Sequence, residues 1–242
     1  MTYEEKIVKF KEFLQESNRV VFFGGAGVSS ESNIPDFRSQ DGLYNQKYDL
    51  PPEQIISASY FNADTVGFYR FYRDKMLFPN AEPNACHKAL ARLERDGKLT
   101  AVVTQNIDGL HQKAGSERVY ELHGSVWRNY CMRCGKRYSL EDVIQASGVP
   151  VCECSGVIKP DVVLYEEALD DKTVMGAVRA IASADMLIVG GTSLVVYPAA
   201  GLLRYFKGKY LVVVNKTPTI ADENADLVIA EKIGKVFTDL LG

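Results

Sequence analysis

Four short apolar runs in this chain end in glycines or in hydrogen-bonding side chains, and this repetition limits the fold more than any other feature. Val20-Val21-Phe22-Phe23 runs into Gly24-Gly25-Ala26-Gly27-Val28-Ser29, and Met186-Leu187-Ile188-Val189 into Gly190-Gly191-Thr192-Ser193. Ala101-Val102-Val103 precedes Thr104-Gln105-Asn106-Ile107-Asp108, and Leu211-Val212-Val213-Val214 precedes Asn215. Continuous β-prone runs suit strands covered on both faces, which predicts a parallel sheet flanked by helices. An open α/β sheet carries its chemistry at the carboxyl ends of its strands, so these polar ends are expected to line one crevice.

At 242 residues the chain is long enough for one large domain, or a main domain carrying insertions. The formal net charge of −3 leaves no sequence-wide attraction for nucleic acid or an anionic membrane. No apolar run reaches membrane-spanning length, and Met1 to Asn18 is charged and amphipathic rather than signal-like, so the expected location is the cytoplasm. The five cysteines then point to metal binding or catalysis rather than disulfides.

Ile7, Phe10, Phe13 and Leu14 share one helical face before Asn18. Residues 44–80, with Pro51-Pro52 and an aromatic stretch from Tyr60 to Phe78, read as a helical excursion. Pro83-Asn84 opens a helix with Leu90 and Leu93 inward and Gly97 as its stop, before a strand over Thr100 to Asn106. From Tyr130 to Lys159 the hydrophobic periodicity weakens and four cysteines appear, which reads as a second insertion. Val174, Val178 and Ile181 mark another helix, Pro198 is expected at the first position of the next, and Asp226–Ala230 and Ile233–Leu241 supply a last strand and helix.

Gly25-Ala26-Gly27 after a strand fits backbone approach to a pyrophosphate at a helix N-terminus, or a ligand-free tight turn. Neither a third fingerprint glycine nor an acid about 20 residues further on is clear, and a P-loop lysine is absent. Cys131-x-x-Cys134 and Cys152-x-Cys154 have the look of two knuckles of a tetrahedral zinc site, the second one residue short, with Gly156 relieving the tighter turn. Four thiolates leave no open position, so such a zinc is structural. Cys86 reads as a core thiol. His123, before Gly124, is a general-base candidate or a satisfied histidine; His111 and His87, the latter on an outer helix, are weaker candidates.

In order and approximate spacing, Gly25-Ala26-Gly27-Val28-Ser29, Ile34-Pro35-Asp36-Phe37-Arg38, Thr104 to Asp108, Leu122-His123-Gly124, the four cysteines, Lys159-Pro160-Asp161-Val162-Val163 and Gly191-Thr192-Ser193-Leu194 resemble the sirtuins, NAD-dependent protein deacylases. The resemblance implies a Rossmann-type large domain (1–43, 81–125, 160–242) and a small domain made of the helical insertion 44–80 and the zinc-binding insertion 126–159. It implies that NAD is consumed, that an acetylated lysine in a protein or peptide is the other substrate, and that nicotinamide is a product and inhibitor. His123 would be the general base, with Asn106 beside it. Ala26, Ser30, Phe37 and Arg38 would contact the dinucleotide, Ile107 and Asp108 its carboxamide, and Gln105 with Asn106 its ribose. Thr192 and Ser193 would serve the phosphates, Asn215 the adenosine ribose, and Ile233 the adenine region; Cys131, Cys134, Cys152 and Cys154 match the zinc ligands.

The chain departs from the family pattern at Ser30, Asn33, the Cys152-x-Cys154 spacing and Leu164-Tyr165-Glu166-Glu167, where an acidic Glu166 is expected to favour basic sequence around the target lysine. Tyr69-x-x-Tyr72 lacks the arginine that family members use for succinyl groups, so neutral acyl groups, acetyl first, are expected. Mono-ADP-ribosyl transfer is the nearest alternative. An NAD-dependent oxidoreductase and a zinc-knuckle nucleic-acid module stand further off.

Overall fold

The computed structural model describes residues 1–36 and 50–242. Helix α1 (Tyr3–Glu16) leads into β1 (Val20–Gly24); α2 (Pro52–Ile55), α3 (Ala58–Ala63) and α4 (Thr65–Lys75) make the helical excursion. Then come α5 (Ala85–Arg95), β2 (Leu99–Thr104), α6 (Leu110–Lys113), β3 (Val119–Glu121), β4 (Gly124–Cys131), β5 (Arg137–Tyr138), α7 (Leu140–Gln145) and β6 (Ile158–Val162). The chain closes with α8 (Asp171–Ser183), β7 (Met186–Gly190), β8 (Tyr210–Val214), β9 (Leu227–Ile229) and α9 (Ile233–Leu241).

Six strands form a parallel sheet in the order β3-β2-β1-β7-β8-β9. Counting only these strands the order is 3-2-1-4-5-6, the doubly wound arrangement, whose switch point lies between β1 and β7. Alternation along β1 explains its unbroken apolar sequence. Val20 and Phe22 enter one core with α1, α5 and α9, while Val21 and Phe23 enter the opposite core with α8. Thr2 caps α1 in a capping box with Glu5, and the predicted Ile7, Phe10, Phe13 and Leu14 are its buried residues.

The second sheet is short and antiparallel, in the order β5-β4-β6. Its core joins Val126, Cys131, Ile158 and Val162 to Phe61, Phe68, Tyr69 and Tyr72 of the helical excursion, so both excursions from the large sheet bury one shared apolar cluster. Gly97 ends α5 at φ 72°, as its sequence position predicts.

Three sequence expectations change. The glycine loop leads not into the N-terminus of an α-helix but into two 3-10 turns, Ala26–Val28 and Ser30–Ser32. Pro198 precedes a 3-10 helix over Ala199–Tyr205 rather than opening an α-helix. His87 points inward: it is fully buried, and its ring centroid lies 4.7 Å from that of His111. Helix α5 covers the sheet, so its inner face takes up both Cys86 and His87.

Candidate active site

The carboxyl ends of β1, β2, β7 and β8 open into a cavity of about 930 Å³ that reaches across to β4 and the segment after β6. Ala26, Ser30, Gln105, Asn106, Ile107, Asp108, His123, Thr192, Ser193, Asn215 and Ile233 all line it. Phe37 and Arg38 lie outside the described residues.

At the switch point two loops meet back to back. The Gly27 N–H donates to the Gly191 carbonyl at 2.8 Å, and a Cβ on Gly27 would stand 2.9 Å from Gly191 backbone. Gly191 itself has φ 57°, and a Cβ there would meet the Val28 nitrogen at 2.4 Å. These glycines are therefore required by the contact between the two loops. Asn84 anchors the loop from below, its Nδ2 donating to the Val28 carbonyl at 2.7 Å and to Ser32 Oγ at 3.0 Å. Asn33 takes the left-handed conformation at φ 61°, which asparagine tolerates.

The polar residues after β2 are tied to one another. Asn106 Nδ2 donates to Ser29 Oγ at 3.0 Å, and Ser29 Oγ donates to Asp108 Oδ2 at 2.6 Å. The other Asp108 oxygen accepts from the Leu110 N–H at 2.9 Å, at the start of α6. Burial pushes the Asp108 carboxyl above its usual range, and the bonds from Ser29, Leu110 and Asn106 work against that shift. Gln105 Nε2 donates to Thr192 Oγ1 at 3.1 Å, linking the ends of β2 and β7.

His123 stands between the two sheets, just after β3 and just before β4. Its Nδ1 lies 2.9 Å from the Gln105 carbonyl oxygen, which only accepts, so Nδ1 carries the hydrogen and Nε2 is the free acceptor. Burial lowers the His123 pKa, and the bond to Gln105 partly restores it. The imidazole is thus held neutral with one basic nitrogen, as a general base requires. Gly124, at φ 77°, brings the chain so close to the Asp161 carbonyl that a Cβ would stand 1.9 Å from it.

The four sulfurs of Cys131, Cys134, Cys152 and Cys154 lie within 4.8 Å of one another. Cys131–Cys154 and Cys134–Cys152 are 3.5 and 3.6 Å apart, close to the roughly 3.8 Å that Zn–S bonds of about 2.3 Å give in a tetrahedron. The Arg133 N–H donates to Cys131 Sγ at 3.3 Å, the arrangement a two-residue knuckle permits. In the shorter knuckle the left-handed residue is Ser155, at φ 65°. Gly156 instead gives room: a Cβ there would stand 2.6 Å from Cys131 Sγ.

A Sir2 family profile matches residues 25–198. An NAD-dependent protein deacetylase of Clostridium acetobutylicum is 58% identical over 98% of both chains, and one of Staphylococcus aureus is 46% identical over 96% of both. This chain belongs to the Sir2 family. A solved Sir2 with a deacetylated p53 peptide and 3'-O-acetyl-ADP-ribose superimposes with a TM-score of 0.90 at 39% identity, over 97% of each chain. Another, with p53 peptide and NAD+, gives 0.86 at 39% identity, over 100% of this chain and 98% of the other.

In this Sir2 chain the Glu166 carboxylate lines the cavity and also accepts from the Ser59 N–H at 2.8 Å and from Ser59 Oγ at 2.9 Å, at the N-terminus of α3. Two residues of the Sir2 site escaped the sequence reading. Ser29 bridges Asn106 and Asp108 across the chain, and its only local signal was its place after the glycines. Trp127, the chain's single tryptophan, donates from Nε1 to the Asp108 carbonyl at 2.7 Å; its signal was that rarity and its closeness to His123.

Proposed function

We propose that this chain removes acetyl groups from protein lysine side chains at the expense of NAD, giving free lysine, nicotinamide and O-acetyl-ADP-ribose. The observation that carries the reading is the His123 imidazole, held neutral through the Gln105 carbonyl in the cavity that Asn106 and Asp108 also line. The acyl oxygen attacks the anomeric carbon of the nicotinamide ribose and nicotinamide departs. His123 then takes a proton from the ribose hydroxyl through Nε2, that oxygen attacks the former amide carbon, and the bond from this carbon to the lysine nitrogen breaks; free lysine leaves and one water is consumed, so the acetyl group stays on the ribose. Asn106 and Gln105 position the ribose, and Ile107 and Asp108 the carboxamide. Ala26, Ser30, Phe37, Arg38, Thr192, Ser193, Asn215 and Ile233 bind the rest of the dinucleotide. The acetyl-ADP-ribose, NAD+ and p53 peptide named for the two solved relatives support the reaction.

One zinc on Cys131, Cys134, Cys152 and Cys154 holds the smaller module together and takes no part in the chemistry. In the proposed division that module consists of 44–80 and 126–159. The acyl group is neutral: Tyr69 and Tyr72 are buried in the shared core, and Arg73, one turn beyond Tyr69 on α4, donates through Nε to the Val143 carbonyl. Nicotinamide inhibits as a product. The proposed setting is the cytoplasm, with neither nucleic acid nor membrane as partner; the net charge of −3 fits this, and among the described residues no helix is long and apolar enough to cross a membrane.

The test incubates the purified protein with acetyl-lysine peptide and NAD, following nicotinamide and peptide mass together. One nicotinamide per acetyl group lost, and no turnover by His123→Ala, is the expected result. Nicotinamide release with an unchanged peptide would replace the reading by ADP-ribosyl transfer or NAD hydrolysis. Succinyl-peptide turnover as fast as acetyl-peptide turnover would overturn the neutral-acyl assignment.

A further inference from the structure

We infer that Trp127 is a positioning residue for the nicotinamide end of the cavity, acting through the backbone of Asp108. The inference rests on the proposed role of Asp108 in holding the carboxamide.

The pairing of β4 with β6 is in register at Gly124 and Ser125 and again from Asn129, with a shift between them. Residues 126–128 fall in that irregular stretch, where a bulge re-aims side chains. The stretch turns toward the residues after β2: the Val126 N–H donates to the Ile107 carbonyl at 3.0 Å, and Trp127 Nε1 donates to the Asp108 carbonyl at 2.7 Å. The indole also lies against Gly109, where a Cβ would stand 2.6 Å from its Cδ1.

Gly109 explains why this bond matters. It has φ 73° and ψ 10°, and the peptide unit joining it to Asp108 is free to turn because glycine accepts both signs of φ. Ser29 and the Leu110 N–H hold the Asp108 carboxylate from one side. The indole N–H selects one orientation of the following peptide from the other. With both in place, the direction of the carboxylate is set before any ligand arrives, which lowers the ordering cost of binding. Trp127 also lines the main cavity and a second groove with Gln112, Lys113 and Arg128, and it is 43% exposed. It is therefore the visible wall between solvent and the Asp108 loop. Its indole costs little to hold, since β4 and Gly109 already confine it.

The experiment compares the wild-type protein with Trp127→Phe and Asp108→Asn, measuring peptide deacetylation, inhibition by nicotinamide and binding of ADP-ribose. Trp127→Phe keeps an aromatic ring over Gly109 and removes the N–H. The expected result is a KM for NAD and an inhibition constant for nicotinamide each raised about fivefold, the equivalent of one neutral hydrogen bond. Affinity for ADP-ribose, which has no nicotinamide, and KM for the peptide should stay as they are. Unchanged nicotinamide inhibition in Trp127→Phe, with weakened inhibition in Asp108→Asn, would overturn the Trp127 inference alone. Unchanged inhibition in both would overturn the role of Asp108 itself. Equal weakening of ADP-ribose and nicotinamide would show a general structural role and would also overturn the inference. Thermal melting of each variant separates these outcomes from misfolding.

Discussion

The six-stranded sheet and the cysteine module share one cavity but are held together by different forces. In the large sheet every residue of β1 and β7 is buried, and two apolar cores cover its two faces. Burying a Phe or Val side chain contributes about 1.5–3 kcal/mol, so this region is stable through area alone. The module has strands of eight, two and five residues and a core completed by borrowed aromatics from α3 and α4. Its four thiolates face one point, so a metal bound there would add its binding energy to that small core. A fold can thus carry a rigid half-site beside one whose shape depends on a metal.

Metal removal is the strongest way to break this comparison. A chelator, or Cys131→Ser, removes a binding energy on the order of 10 kcal/mol. It should expose the amides of 126–159 to hydrogen exchange while those of β1, β2 and β7 stay protected, and activity should vanish. Simultaneous exchange of both regions would mean that the metal supports the whole molecule. Phe22→Ala is the converse test: it empties a fully buried site between α9 and the sheet, and should cost about 3–5 kcal/mol in denaturant unfolding without releasing zinc.

Acid sharpens the comparison further. Burial lowers the His87 pKa from 6.5 to about 4, and the His111 pKa falls too, through burial and the neighbouring His87. Below pH 6.5 the unfolded chain takes up a proton at His87 that the folded chain refuses until about pH 4. Stability is then complete above pH 6.5 and declines as pH falls toward 4, by about 1.4 kcal/mol per pH unit for that one proton. Thermal melting of His87→Gln should show a shallower slope over this range. Whatever slope remains includes the share of His111, whose pKa burial lowers in the same direction. An unchanged slope would clear His87 of any part in it.

The smallest effect belongs to the seam. Arg128 on β4 reaches Glu121 of β3 at 2.5 Å and Asp161 of β6 at 2.8 Å, joining the two sheets. The Arg128 side chain is 47% exposed but that of Glu121 only 7%, so Arg128→Met leaves a buried carboxylate without this partner and should lower stability by about 1–2 kcal/mol. A larger loss in urea unfolding would show that the two regions unfold as one unit through this contact.

Much of this organisation could be read along the chain, because it rests on local periodicity. The apolar runs of β1, β2, β7 and β8 need cover on both faces whatever surrounds them, and the amide and carboxylate after Val103 had no apolar role to fill. The paired cysteines announced their shared target by spacing. Element ends were less legible: the strand expected over Thr100 to Asn106 runs from Leu99 to Thr104, since Gln105 and Asn106 turn away into the cavity.

What tertiary structure alone decided is how distant polar groups satisfy one another. Ser29 meets Asp108, Ser59 takes up Glu166, Gly27 packs on Gly191, and Trp127 reaches the Asp108 carbonyl. Only the topology brings these partners together, and no hydrophobic pattern encodes their pairing. Sequence by itself determined which residues must be buried and which strand ends carry chemistry, because burial and backbone propensity act locally. The direction of a carboxylate or the tautomer of an imidazole depends on a few hydrogen bonds across the fold, and those exist only once the sheet has placed its loops side by side.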